Sequence, residues 1–182
     1  MNPLLILRCE IVCAVIMIFF FVYSIIYSQT RGKHFQNICL IGFLHLVFDG
    51  ITVYTVNNTE TVDPAVNFLL HFLMYGFAAW FSCEIFCYLV NNTWKGSSTR
   101  IREILYRIPL LIYILIVPFT KIDYTQGFGT KHSMGVGAII GFGLAVLYIS
   151  TGTIIAIAHH DQVEKGILTA LLQMNFCMII TR

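Results

Sequence analysis

Polar side chains interrupt two long apolar stretches of this sequence, and their types and spacing could support ligand binding or proton chemistry. His45, Asp49 and Thr52 are spaced at i, i+4 and i+7, which places them on one stripe of a helix. Asn67 and His71 are spaced at i, i+4 in the next apolar stretch. Ionisable groups at membrane depth are costly to insert, so each of them is a candidate functional residue.

Two adjacent antiparallel helices that carry these stripes predict a polar pocket between them, open toward the outer side. Counting about 1.5 Å per residue from the outer helix ends puts His71 near the depth of Thr52, and Asp49 one turn deeper. The residues expected to form or flank this ligand-sensing pocket are Asp49, Thr52, Asn67 and His71, with Tyr54 and Tyr75 nearby. The same residues are equally typical of hydrogen bonds that only fix the register of two helices.

Glu84 and His45 are further ionisable groups within apolar stretches. Glu84 lies about 100° around its helix from Asn67 and nearer the cytoplasmic end, so it is expected to pair with another helix or with the basic connection 91–107 rather than with Asp49. A relay through Asp49, His45 and Glu84 is typical of a small ion-coupled transporter. Against that hypothesis, the sequence has no internal repeat and no matched pair of broken helices.

Metal binding and catalysis are weakly supported by the sequence. His45, Asp49 and His71 could supply three metal ligands, but there is no compact motif such as H-E-x-x-H or paired C-x-x-C. There is likewise no G-x-S-x-G nucleophile motif and no Walker glycine loop. We therefore predict no catalytic residue, no metal site and no cofactor within these residues.

The elements that position these side chains are predicted to be membrane-spanning helices. Hydrophobic residues make up 58% of the 182, charged residues 11%, and the mean hydropathy is +0.80, far more apolar than an ordinary soluble domain. The apolar stretches approach the roughly 20 residues that a helix needs to cross a bilayer. We predict an all-α, polytopic transmembrane bundle with no soluble domain, whose about six helices cover 4–27, 37–57, 66–91, 103–119, 133–158 and 165–181.

The distribution of basic residues predicts the orientation of this bundle. Lys and Arg concentrate in the first and third connections, which places those connections in the cytoplasm and the N-terminus outside. The net charge of +2 is too small and scattered for a nucleic-acid groove. If the first and third connections are cytoplasmic, the sixth helix runs outward and ends at Arg182 without a polar tail. A seventh helix leading to a cytoplasmic effector is therefore expected.

Glycine marks two further features. Gly137 and Gly141 form a G-x-x-x-G motif that Ala145 extends, which predicts close helix packing, either within one subunit or across a homodimer or partner-helix face. Gly127 and Gly129 predict a turn in the outer connection, which is long enough to fold over a pocket mouth.

One segment resembles a known family. The run FDGITVYTVNN from Phe48 to Asn58, followed by Pro64 and by NFLLH from Asn67 to His71, resembles the multi-helix N-terminal membrane region found ahead of GGDEF domains in Firmicutes diguanylate cyclases. The segment Pro118-Phe119-Thr120 is also similar. This resemblance implies an input module of a bacterial signalling protein, with a cytoplasmic cyclase that makes cyclic di-GMP from GTP. No GGDEF residues are present, so no GTP or magnesium site can be assigned.

The resulting hypothesis is a sensor in the cell membrane whose partners are the lipid bilayer and an unidentified small ligand. Ligand or membrane state would shift the packing of the second and third helices against the fifth, through different affinities for two arrangements. The sequence leaves a histidine kinase open as the downstream enzyme instead of a diguanylate cyclase.

Overall fold

The structure, a computed structural model, describes residues 8–26, 33–93, 99–127, 130–159 and 161. Across these residues the chain forms five α-helices and one β-hairpin, which confirms the all-α expectation apart from the two short strands. The helices are α1 (Arg8–Ile26), α2 (Lys33–Asn57), α3 (Pro64–Thr93), α4 (Thr99–Ile116) and α5 (Val136–Ala158), and a 3-10 turn, Val117–Phe119, follows α4. The strands are β1 (Asp123–Gly127) and β2 (Thr130–Met134).

Three helices of the described part are long and apolar enough to cross a membrane, over His34–Asn57, Pro64–Thr93 and Val136–Ala158. Helix α1 contributes a shorter apolar segment, Ile11–Ile26. Helix α4 begins with a charged segment, so only its second half is continuously apolar. Large apolar side chains are exposed along α1, α4 and α5, as expected for faces solvated by lipid. The sixth predicted span, 165–181, lies outside the described residues.

Helix α3 is the centre of the bundle. It packs against α2, α4 and α5, whereas α1 packs on α2. The six consecutive side chains from Ser82 to Cys87 are all buried, which requires neighbours on every side of the helix. A polar residue anywhere in this stretch of α3 therefore has to find a partner on another helix or on its own backbone.

The start of α3 follows from three residues. The backbone N–H of Ala65 donates to the Asp63 carboxylate over 2.7 Å, so Asp63 caps the helix. Pro64 occupies the first helical position, where its missing N–H costs no hydrogen bond. This cap fixes the point at which α3 begins, and hence the depth of Asn67 and His71 relative to α2.

The connection between α4 and α5 holds the hairpin, of which the sequence predicted only the turn. Strands β1 and β2 pair antiparallel with Gly127 opposite Thr130, and β2 contacts α2 and α5. Gly129 lies outside the described residues. Gly135 joins β2 to α5 with a φ of 146°, and a Cβ atom there would collide with the backbone oxygen of Lys121. Glycine is therefore required at this sharp entry into α5.

Candidate functional site

The interface between α2 and α3 is tied by polar side chains on both helices. The Thr55 hydroxyl donates to Asn67 Oδ1 over 2.7 Å, and the Thr52 hydroxyl lies 3.1 Å from Met74 Sδ. His71 Nδ1 lies 2.7 Å from the backbone oxygen of Asn67 on its own helix. These groups are almost completely buried, His71 with 0% and Thr52 with 2% of its surface exposed. The stripes predicted from the sequence do meet: Thr52 and Asn67 make interhelical contacts, to Met74 and Thr55, whereas His71 bonds to the backbone of its own helix.

A separate cavity of about 510 Å³ opens beside this contact, among α2, α3, α4 and α5. Its volume lies within the range of small-molecule sites in proteins, about 300–1,000 Å³. Most of its wall is apolar or aromatic. The residues that line it are His45, Asp49, Met74, Tyr75, Ala78, Tyr113, Ala138, Ile139, Gly141, Phe142 and Ala145.

Asp49 and His45 bring polar chemistry to this cavity. They lie one turn apart on α2, both half-buried, and the cavity wall contains no Lys or Arg among the residues described. His45 Nδ1 is buried with no hydrogen-bond partner in the described part of the chain. Asp49 and Tyr75, both predicted at the pocket, line this cavity, whereas Thr52, Asn67 and His71 are not among its lining residues.

Tyr54, predicted to lie at the pocket, does not line this cavity. Its side chain is 60% exposed and faces a different crevice, between α1 and α2, together with Ile11, Gly50 and Ile51. The reason is helical geometry: Tyr54 follows Thr52 by two residues, which is about 200° around the helix. Tyr54 therefore lies on the face of α2 that points away from the cavity.

Glu84 belongs to a second polar site, here called the junction, formed by Glu84, Trp80, Asn91, His34, Glu103 and Arg107. Arg107 Nη2 on α4 donates to Glu84 Oε1 over 2.7 Å, and Trp80 Nε1 donates to the same oxygen over 3.2 Å. The Glu84 side chain is only 1% exposed. The expectation that Glu84 pairs with another helix or the basic connection, and not with Asp49, is confirmed.

His34 extends the junction to α2. Its Nδ1 lies 3.4 Å from Glu84 Oε2, while its Nε2 lies 3.3 Å from Glu103 Oε1 and 3.1 Å from Asn91 Nδ2. Asn91 also donates to Glu103 over 2.9 Å. A neutral His34 can donate to Glu84 and accept from Asn91, whereas a protonated one donates to both carboxylates. The junction therefore joins the first turn of α2, the second half of α3 and the first half of α4 in either charge state of His34.

Aromatic rings connect the neighbourhood of the cavity to the junction. Phe48, next to Asp49 in the sequence, stacks on Phe77 of α3 with ring centroids 5.3 Å apart. Phe77 in turn stacks on Trp80, 6.3 Å away, and Trp80 donates to Glu84. A displacement of α2 along α3 at Asp49 would therefore act on side chains that contact the junction.

The glycine face of α5 is occupied by the same chain. A Cβ atom on Gly141 would collide with the Tyr113 hydroxyl, and one on Gly137 with Thr120 and Val117. Tyr113 uses this close approach to donate to the backbone oxygen of Gly137 over 3.0 Å. Packing within one subunit, the first of the two predictions for this motif, is confirmed for both glycines, and Ala145 lines the cavity.

Sequence reasoning missed residues that only tertiary packing brings to these sites. Tyr113 and Phe142 reach the cavity from α4 and α5, and no pattern links them to Asp49. The sequence does contain a pattern that could have indicated the junction, because Glu103 and Arg107 are spaced at i, i+4 beside a charged connection. Over the described residues, no three His, Cys, Asp or Glu side chains group closely enough to hold a metal ion.

Comparison with protein-family models, curated proteins and solved structures gives no match to this chain. Its function therefore has to be argued from the two polar sites themselves.

Proposed function

We propose that this chain is the membrane-embedded input module of a bacterial signalling system, and that it controls a cytoplasmic diguanylate cyclase. The observation that carries the proposal is the cavity, because it places Asp49 and His45 inside a bundle whose helices suit a membrane interior. The resemblance of the segment Phe48 to His71 to regions that precede GGDEF domains supports the choice of effector.

The mechanism follows from the arrangement of the helices around the cavity. A ligand that fits only one packing of α2 and α3 against α5 stabilises that packing by the difference between its affinities for the two states. The stacked rings of Phe48, Phe77 and Trp80 carry the shift from the cavity to Glu84. There the shift changes how α2, α3 and α4 are held together, next to the connection that the basic residues assign to the cytoplasm.

The geometry gives less support to an ion-coupled transporter. The relay suggested by the sequence needs Asp49, His45 and Glu84 to exchange protons, yet Glu84 is enclosed by Arg107, Trp80 and His34. His34, which contacts Glu84, precedes Asp49 by 15 positions on the same helix, a rise of about 22 Å. Among the described residues that line the cavity, no ionisable side chain bridges this distance to pass a proton to the junction.

The test uses cells that express the protein from its native gene. We expect Asp49→Asn to change cyclic di-GMP production in cells while leaving the amount of protein in the membrane unaltered. Tyr54→Phe is the matched control, because it lies on the same helix and faces away from the cavity. Equal cyclic di-GMP levels in the wild type and Asp49→Asn would overturn the proposal. Autophosphorylation in place of cyclic di-GMP synthesis would instead identify a histidine kinase as the effector.

The orientation is tested separately with reporter fusions. A reporter after Lys95 is expected on the cytoplasmic side and one after Asp63 on the outer side, because basic residues concentrate in the connection around Lys95. The opposite result would remove the junction from the cytoplasmic end of the bundle.

A further inference from the structure

We infer that the cavity binds a small organic cation with an apolar body, such as an alkyl- or arylammonium compound. This inference rests on the proposed function for its biological role, but the binding itself depends only on the chemistry of the cavity wall. The resemblance to GGDEF-linked membrane regions implies no particular ligand. The charge, the aromatic lining and the size of the cavity favour an organic cation.

The charge of the cavity wall disfavours anionic ligands. The only carboxylate on the described wall is Asp49, and neither Lys nor Arg lines the cavity to attract an anion. A bound cation is attracted to the Asp49 carboxylate by its opposite charge.

The remaining wall suits the body of such a cation. Tyr75, Tyr113 and Phe142 contribute aromatic rings, whose faces attract ammonium groups within about 6 Å. Met74, Ile139 and three alanines supply apolar surface. His45 Nδ1, buried without a partner in the described structure, can donate to or accept from a polar substituent of the ligand.

The small residues on the wall are what leave the cavity empty of side chains. Ala78 on α3 lines the cavity together with Ala138, Gly141 and Ala145, which lie on α5 at helical spacing. Larger side chains at these positions would fill the cavity, so a single substitution can test whether the space is needed for binding. A substitution such as Ala145→Leu should therefore occlude the site without altering its charge.

The experiment measures binding to the purified chain in lipid nanodiscs by equilibrium dialysis, with empty nanodiscs as the blank. The probes are benzyltrimethylammonium and its uncharged carbon isostere, neopentylbenzene. We expect saturable binding of the cation at one site per chain and no saturable binding of the isostere. Asp49→Asn should weaken the binding of the cation by about tenfold or more, as expected for losing a contact between charged groups.

Two further variants keep the test decisive if Asp49→Asn fails to fold. Ala145→Leu should abolish binding of the cation by filling the cavity, and Tyr54→Phe, on the face of α2 that points away from the cavity, should leave it unchanged. Equal binding of the cation and the isostere, or unchanged affinity in both cavity variants, would overturn the inference.

The result also separates this inference from the proposed function. Specific binding of the cation together with unaltered cyclic di-GMP levels in Asp49→Asn cells would keep the binding site and reject the input module. Altered cyclic di-GMP levels without any binding of the cation would keep the input module and reject the cation as its class of ligand.

Discussion

Asp49 and Glu84 are both carboxylates in helices that suit a membrane interior, but their surroundings differ. Glu84 is 1% exposed and is held by Arg107, Trp80 and His34 from three helices. Asp49 is half-buried on the wall of a cavity of about 510 Å³. The same residue type thus serves two purposes: Glu84 binds helices to one another, and Asp49 is presented to a space that a ligand can enter. The extent of burial and the open space beside the side chain distinguish the two, and residue type alone does not.

The largest effect is expected from breaking the junction. Arg107→Met removes the closest partner of Glu84 and leaves a carboxylate in an enclosed site. Breaking a buried pair from one side costs about 3–5 kcal/mol, and we expect the lower end because the Arg107 side chain is 35% exposed. Chemical unfolding in mixed micelles measures the loss, with the exposed Lys121→Met as the control.

A double variant makes this prediction more specific. Glu84→Gln combined with Arg107→Met removes both charges, so it should recover much of the stability lost in Arg107→Met alone. If the double variant is as unstable as the sum of the two single changes, the pair does not have the role assigned to it.

The next largest effect concerns the wall of the cavity. Gly141→Ala places a methyl group against the Tyr113 hydroxyl and displaces its hydrogen bond to Gly137, which we expect to cost about 1–3 kcal/mol, as overpacking does. Gly143→Ala is the matched control, since no atom lies within 4 Å of a Cβ there. Gly143→Ala should stabilise the protein by about 0.5–1 kcal/mol, because alanine has less backbone entropy than glycine in the unfolded chain. Similar losses in both variants would show that α4 does not approach α5 at Gly141.

A smaller effect is expected where α2 meets α3. Thr55→Val removes the hydroxyl that donates to Asn67, and hydrogen bonds between membrane helices contribute about 0.6 kcal/mol on average and up to about 1.7. Thr61→Val, at an exposed position in the connection, is the comparison. A change in signalling output in Thr55→Val at unaltered stability would mean that this contact belongs to the sensing site after all.

The smallest change in stability is expected for Asp49→Asn. The amide keeps the shape of the carboxylate at a half-buried cavity wall, so the free energy of unfolding should stay within about 0.5 kcal/mol of the wild type. Unfolding of both proteins in the same micelles measures this difference. A loss as large as that of Arg107→Met would remove the distinction between the two carboxylates.

The sequence predicts the helical, membrane-suited architecture because apolar composition and span length depend on local residues alone. It also predicts the meeting of the α2 and α3 stripes, since helical spacing fixes which residues share a face. The same helical spacing puts Tyr54 on a different face of α2 from Thr52, which the prediction for Tyr54 did not take into account. The part of the cavity wall that α4 and α5 form could not be predicted, because Tyr113 and Phe142 line the cavity only through the packing of these two helices. The hairpin was missed since its two strands have five residues each and are flanked by longer helical patterns.

Trp80 gives the junction an optical signal of its own. It is one of two tryptophans in the chain, so Trp94→Phe leaves a single indole whose N–H lies 3.2 Å from Glu84. Indole emission depends on the polarity and charge around the ring. The protein therefore carries a built-in fluorophore at the point where three helices are joined, and rearrangements there can be followed in real time without attaching a dye.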